Sequence, residues 1–243
     1  MTNMQYLESE ALMLNLGPPA ALFRVNEAYK PGEEHAVGLT IGAFDGVHLG
    51  HRALIRWMAR GARRAGLYAV VLTFDPLPAQ LLSDLGSQSG GESQVLSSSA
   101  ERVRLIASLG VDAVIVVPFD QDVMAIPART FVTRLVTHLS MQGLWVGPDF
   151  ALGRDREGDV PFLREVGTRR GFEVHVFDEV IRWQGQPVRS SRIRRALEKG
   201  HLEEANGCLG RPYRLSGVVG PGDRRGRALG FPTANLKVPP AQL

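Results

Sequence analysis

From Val37 to Phe177 the chain alternates two kinds of segment. Short runs are apolar at nearly every position: Val37 to Ile41, Tyr68 to Phe74, Asp112 to Val117, Leu144 to Gly147 and Phe172 to Phe177. Runs of that length predict strands buried on both faces, as in a parallel sheet. Between them lie longer stretches in which apolar residues return every three or four positions, the period of a helix with one buried face. Ala53 to Ala65 is the first of these. Ser98 and Glu101 stand at capping-box spacing and open a second, through Leu109. Pro127 suits the first turn of a third, to about Leu139, and Asp159 to Arg170 forms a fourth. Repeated strand–helix units predict an α/β fold, a doubly wound parallel sheet with right-handed crossovers. One stretch breaks the pattern. Ser83 to Ser99 holds seven serines and three glycines, too polar to bury, and predicts a mobile surface loop that either closes over a ligand or merely connects.

Such sheets bind ligands beyond the carboxyl ends of their strands. The most distinctive string in the chain falls at one of those ends: Gly42-Ala43-Phe44-Asp45-Gly46-Val47-His48-Leu49-Gly50-His51. It leads from the first strand into the first helix. His48 and His51 are three apart and share a face of the first turn, where free N–H groups and the helix dipole attract anions. Gly46 and Gly50 leave the surroundings free of side chains, so a polyphosphate can approach closely. A histidine pair at this spacing is as often plain surface; the weight comes from the full string. Phe74-Asp75-Pro76, Pro118-Phe119-Asp120 and Gly147-Pro148-Asp149 fall at the other strand ends. Further on, Arg189-Ser190-Ser191-Arg192-Ile193-Arg194 opens a helix that runs to about Lys199 and stops at Gly200. Serine at such a start ordinarily just satisfies backbone N–H groups. Here Arg194 also falls on the face of Ser190 and Ser191, so two hydroxyls, a dipole and a guanidinium converge as a polyphosphate site would require.

Composition narrows the picture modestly. The chain has 243 residues, enough for one large α/β domain or a domain plus a fragment. A formal net charge of +3 with a pI near 9.3 suits small anionic substrates as well as nucleic acid. Arg52, Arg56, Arg60 and Arg64 make a basic stripe on the first helix, but without interleaved aromatics it reads as a solvated face, and no nucleic-acid partner is expected. No apolar run approaches the roughly 18 residues of a membrane span, and no secretory leader is visible before Glu8 and Glu10. The single Cys208 excludes an intrachain disulfide. A cytoplasmic protein is expected. His138, His175 and His201 have no partner at metal-ligand spacing. Trp145 and Trp183 read as packing residues that could alternatively serve as stacking platforms.

The Gly42–His51 string resembles the nucleotide-binding signature of the His-x-Gly-His nucleotidyltransferases, which have a Rossmann-like fold. Its Phe-Asp-Gly-Val-His version is similar to one branch, the bacterial bifunctional riboflavin kinase/FAD synthetase family. Thr73-Phe74-Asp75-Pro76-Leu77-Pro78 resembles that family's Thr-Phe-Asp-Pro-His-Pro loop, with Leu77 in place of the usual histidine. Val146 to Gly153 with Gly158-Asp159 resembles its Val-Gly-x-Asn/Asp-Phe-Arg-Phe-Gly loop, with Ala151 and Leu152 in place of arginine and phenylalanine. Ser190-Ser191-Arg192-Ile193-Arg194 resembles its Ser-Ser/Thr-x-x-Arg element. Leu209 to Tyr213, Gly222 to Arg227 and Gly230 to Leu236 (with Pro-Thr-Ala-Asn at 232–235) resemble the entry to the riboflavin kinase domain.

The resemblance implies an FMN adenylyltransferase that joins AMP from ATP to FMN and releases pyrophosphate. Two alternatives remain: a related nucleotidyltransferase with another phosphate-bearing acceptor, and a non-catalytic flavin-nucleotide-binding protein. By carry-over, His48 and His51 would be the catalytic pair. Gly42, Phe44, Asp45, Gly50, Ser190, Ser191 and Arg194 would complete the ATP site, with Asp45 organising the loop. Asp75 and Asp149 would orient FMN or ribose. Magnesium would be held through substrate phosphates rather than by a dedicated protein cage. Thr233 and Asn235 would belong to the kinase's magnesium-nucleotide site. The implied organisation is an N-terminal extension at 1–35, the transferase domain at 36–200, a linker at 201–213 and an incomplete β-barrel kinase segment at 214–243. A barrel cannot close within the 33 residues from Arg211 to Leu243. The family's glutamate base would lie beyond them, so no kinase activity is expected of this chain.

Overall fold

The computed structural model describes residues 8–31, 35–86, 94–220, 230–231, 233–238 and 242. The elements in chain order are β1 (Glu8–Leu12), β2 (Ala20–Arg24), β3 (Val37–Ile41), α1 (Leu49–Arg64), β4 (Tyr68–Asp75), α2 (Pro78–Asp84), α3 (Ser99–Ala107), β5 (Ala113–Pro118), α4 (Gln121–Met124), α5 (Ala128–Leu139) and β6 (Met141–Val146). They continue with β7 (Ala151–Leu152), β8 (Gly158–Asp159), α6 (Val160–Arg170), β9 (Glu173–Val176), β10 (Arg182–Trp183), β11 (Gln186–Pro187), α7 (Ser190–Glu198), α8 (Leu202–Leu209), β12 (Val218–Gly220) and β13 (Asn235–Lys237).

Seven strands form one sheet in the order β1-β2-β5-β4-β3-β6-β9. The five strands from β5 to β9 are parallel. The parallel part starts in the middle at β3, winds outward through β4 to β5, then crosses back to β6 and β9. The order therefore reverses between β3 and β6, the switch point where α/β sheets open a crevice at their carboxyl edge. Alternation along β4 separates two cores. Val70, Leu72 and Phe74 pack with α5 and α6 through Phe131, Leu135, Leu163 and Val166. Ala69 and Val71 pack with α1 and α3 through Ile55, Met58, Val103 and Ile106. Trp145 lies flat on the α1 side, stacked on His175 at 4.3 Å, which is why Gly38 and Gly143 beneath it have no room for a Cβ. Its role is packing, one of the two readings open to it.

The structure departs from the sequence reading at three places. The stretch before Val37 is not merely an extension: β1 and β2 form a hairpin whose second strand pairs antiparallel with β5, so the sheet is mixed rather than wholly parallel. Alternation in so short a hairpin is weak, and pairing along the β5 edge supplied what the local pattern did not. The end of the serine-rich stretch is buried rather than mobile surface: Val95, Leu96 and Ser97 are enclosed, and Asp45 takes up the Leu96 and Ser97 backbone N–H groups. Residues 87–93 of that stretch lie outside the described residues. The expected linker contains α8, which packs on α7 through Ala205, Cys208 and Leu209 against Val188, Ile193 and Leu96. At the C-terminus β12 and β13 pair antiparallel as a separate ribbon. Val218, Val219, Phe231 and Leu236 are exposed on or beside it, since a two-stranded ribbon by itself buries little. The Gly222–Arg227 string and Pro232 lie outside the described residues.

Candidate functional site

The loop between β3 and α1 is built around a buried carboxylate. Phe44 and Val47 take positive φ angles of 47° and 41°, and Gly46 takes 70°. This tight turn drops Asp45 into the interior, 3% exposed. Both oxygens of its carboxylate accept from the Leu96 N–H at 3.0 Å, and one also accepts from the Ser97 N–H at 3.2 Å. The Ser97 hydroxyl accepts from the Gly46 N–H at 3.0 Å. Another partner comes from 149 residues away: Arg194 Nη2 donates to Asp45 Oδ2 at 2.7 Å. Ser190 Oγ donates to the Asp45 carbonyl at 3.3 Å. The start of α7 is thus fastened to the loop three residues before His48.

His48 caps α1. Its Nδ1 accepts from the His51 N–H at 3.3 Å, so in the neutral ring the proton sits on Nε2. The two imidazoles stack at 3.5 Å between centroids and 18° between planes, and Phe44 meets His51 edge-on at 5.3 Å. Gly50 lies against the His48 ring, where a Cβ would come within 3.2 Å of it. Phe44 also closes over Gly42. Burial first, then the positive charge of Arg211, pushes His48 down to about 4. Burial and the neighbouring His48 push His51 well below the ordinary histidine value. Both rings are therefore neutral at pH 7 in the free protein.

This has a stability consequence of definite sign. An unfolded histidine binds its proton near pH 6.5, whereas folded His48 resists it until about pH 4. Between those values the unfolded chain holds more protons, so stability should fall as pH drops from 6.5 toward 4 and be unaffected by this group above 7. The depression is worth about 3 kcal/mol in order of magnitude. Urea unfolding at pH 7 and pH 5 in the parent and in His48→Gln checks it: the acid loss should be smaller in the variant.

The other expected site residues are dispersed around this centre. Asp75 is exposed at the carboxyl end of β4, and Asp149 is exposed in the turn after β6. These strands flank β3 on either side. Arg156 Nη2 donates to the Asp149 carbonyl at 2.9 Å. Ser191 is exposed on the first turn of α7. Thr233 and Asn235 are exposed, and Asn235 is part of the separate ribbon. Trp183 packs against Arg192, 5.5 Å from its ring centroid. Among the described residues no three His, Cys, Asp or Glu side chains gather as a metal-binding group. A depression of about 660 Å³ between α6 and β9, lined by Arg164, Thr168, Phe172, Glu173 and His175, holds none of the candidate residues.

Two arginines that the sequence did not single out support the site from below. Arg102, 1% exposed, donates to the Phe74 carbonyl at 2.7 Å and feels the charges of Asp45 and Asp75. Arg211 donates to the carbonyls of Gly46 and Val47 at 2.7 and 3.4 Å. Helical periodicity hides Arg102 among apolar positions of α3, and Arg211 lies in a stretch that reads as connector.

The FAD synthetase family model matches residues 30–192, and the riboflavin kinase family model matches residues 209–243. The chain is 38% identical over 200 residues to a bifunctional riboflavin kinase/FMN adenylyltransferase of Listeria monocytogenes, covering 82% of this chain and 62% of that protein. It is 38% identical over 199 residues to the Escherichia coli K12 protein of the same name, with the same coverage. The chain thus spans less than two thirds of the length of these relatives. A solved structure titled as a macrolide-efflux protein from Streptococcus pneumoniae superposes with a TM-score of 0.69 at 26% identity, covering 88% of this chain and 69% of that one. Among the described residues no helix is long and apolar enough to cross a membrane.

Proposed function

This chain belongs to the FAD synthetase family, and on that footing we propose that it transfers the adenylyl group of ATP to FMN. A phosphate oxygen of FMN attacks the α-phosphorus in line, the bond to the bridging α,β oxygen breaks, and pyrophosphate leaves as FAD forms. No protein nucleophile is required, so catalysis is positioning together with stabilisation of developing charge.

The observation that carries this reading is the Asp45 knot, which ties Ser190 and Arg194 to the loop holding His48 and His51. Two neutral imidazoles at a helix N-terminus suit a triphosphate. The His48 Nε2–H is a donor, and an arriving polyanion raises both rings toward protonation, adding charge as the transition state forms. In this reading Ser190 and Ser191 present hydroxyls and α7 its N-terminus to the leaving pyrophosphate. The Arg194 charge acts there from within its pair with Asp45. Asp75 and Asp149, flanking the switch point, orient FMN or ribose. Magnesium enters with the nucleotide, ligated by phosphate oxygens and water, and would neutralise phosphate charge.

A cytoplasmic reaction fits a chain whose one cysteine, Cys208, is buried and free. The riboflavin kinase match is confined to residues 209–243; a longer protein that includes this chain would be a riboflavin kinase as well.

The deciding experiment incubates the protein with FMN, ATP and magnesium and follows FAD and pyrophosphate by chromatography. Stoichiometric FAD and pyrophosphate are expected. FAD bound but never formed would favour a non-catalytic flavin-nucleotide-binding protein, and AMP transfer to another phosphate acceptor would favour the related transferase.

A further inference from the structure

The turn that delivers His48 has an exposed weakness in its own backbone. With Gly46 at φ 70° and Val47 at φ 41°, the single 3-10 turn Asp45–Val47 departs from helical geometry, and the two carbonyls have no place in a regular ladder. One side chain serves both oxygens. Arg211 Nη2 donates to the Gly46 carbonyl at 2.7 Å and Nη1 to the Val47 carbonyl at 3.4 Å. Nη1 also reaches the Leu209 carbonyl at 3.4 Å.

The arginine is itself held. Its N–H donates to the Asn206 carbonyl at 3.2 Å, and the Asn206 side-chain oxygen accepts from the Tyr213 N–H at 2.7 Å. Gly210 turns the chain at φ 66°, so close to Leu49 on the first turn of α1 that a Cβ would not fit. Arg52 donates to the Gly210 carbonyl at 3.3 Å. The exit from α8 is thereby docked on the start of α1. Residue 211 also lies inside the stretch that matches the riboflavin kinase family model.

Resting on the adenylyl-transfer reading, we propose that Arg211 is a positioning residue of the transferase site, supplied by the entry to the kinase-like segment. It locks the Gly46–Val47 turn and so sets where the His48 ring stands. Its planar fork can hold two carbonyls at once, which a lysine ammonium cannot do in the same geometry. It also sets a positive charge against the carbonyl dipoles of the turn. The same charge helps to keep His48 neutral in the free protein.

The test compares the parent chain with Arg211→Gln and Arg211→Lys. Initial rates give kcat and KM for FMN, and hydrogen–deuterium exchange follows the peptide spanning residues 42–52. Arg211→Gln should lower kcat at least tenfold with KM for FMN changed less than threefold. Exchange at 42–52 should quicken at least tenfold while the β4 and β5 peptides stay at parental rates. Arg211→Lys should recover part of both effects. Parental kcat and parental exchange in Arg211→Gln would overturn the inference, as would equal acceleration in the β4 and β5 peptides, which would make the residue a general support of the fold. A parent that makes no FAD sinks the adenylyl-transfer reading and, with it, the role in that site. Exchange at 42–52 then shows separately whether Arg211 locks the turn.

Discussion

His51→Ala should form FAD with kcat reduced about 100- to 1,000-fold, the cost of removing one preorganised donor from developing phosphoryl charge, while KM for FMN moves no more than about threefold. The asymmetry follows from placement. His51 stacks on His48 and meets Phe44 edge-on; in the proposed reading it stands on the triphosphate side of the crevice, and losing it would deprive the transition state more than the flavin. His51 Nδ1 is buried and makes no hydrogen bond among the described residues, an unmet polar group that a phosphate oxygen would satisfy. Truncation also empties space beside Phe44, so the melting temperature of each variant must be measured alongside the rate. His51→Gln, which refills the space and returns an N–H donor, should recover part of kcat. Parental turnover in His51→Ala would remove this side chain from the mechanism. Loss of stability equal in the alanine and glutamine variants would assign it to packing.

Much of the frame was legible because parallel sheets write themselves plainly. The apolar runs at 37–41, 68–74 and 112–117 became β3, β4 and β5 to within a residue or two, since strands buried on both faces leave few polar interruptions. The cap at Ser98 was readable for a local reason; α7 also starts at Ser190, but its N-cap is Arg189 and the Ser190 hydroxyl bonds the Asp45 carbonyl instead of capping. What sequence could not show was long-range pairing. The β1–β2 hairpin acquires its identity only from β5. Leu96 and Ser97 sit in a serine-rich stretch that local composition assigns to solvent, and a carboxylate 51 residues earlier buries them. Arg194 is the sharpest instance. Its helical face suggested a free phosphate clamp, whereas its guanidinium also pairs with Asp45, which no periodicity can reveal. Family resemblance supplied the chemistry in this region; the geometry supplied the wiring.

That wiring yields the second large effect. Arg194→Ala should destabilise the fold by about 3 kcal/mol, the low end of the 3–5 kcal/mol typical of breaking a buried pair, and should reduce FAD formation below detection. The low end is argued from Asp45's remaining partners. The Leu96 and Ser97 N–H groups still point at the carboxylate, so its charge is not wholly abandoned. A residue that merely gripped phosphate from solvent would cost activity and leave urea unfolding unchanged. The double variant Asp45→Asn/Arg194→Ala separates the two roles, because removing both charges removes the penalty of a buried carboxylate without a cation. It should be more stable than Arg194→Ala alone by at least 1 kcal/mol, on the order of one unsatisfied buried group, yet remain inactive. The loop and α7 would then be folded but no longer fastened around the triphosphate. If the double variant were no more stable than the single one, the pair would not be what joins α7 to the loop, and Ser190 with the packing of Ile193 against Leu96 and Val188 would have to do so alone.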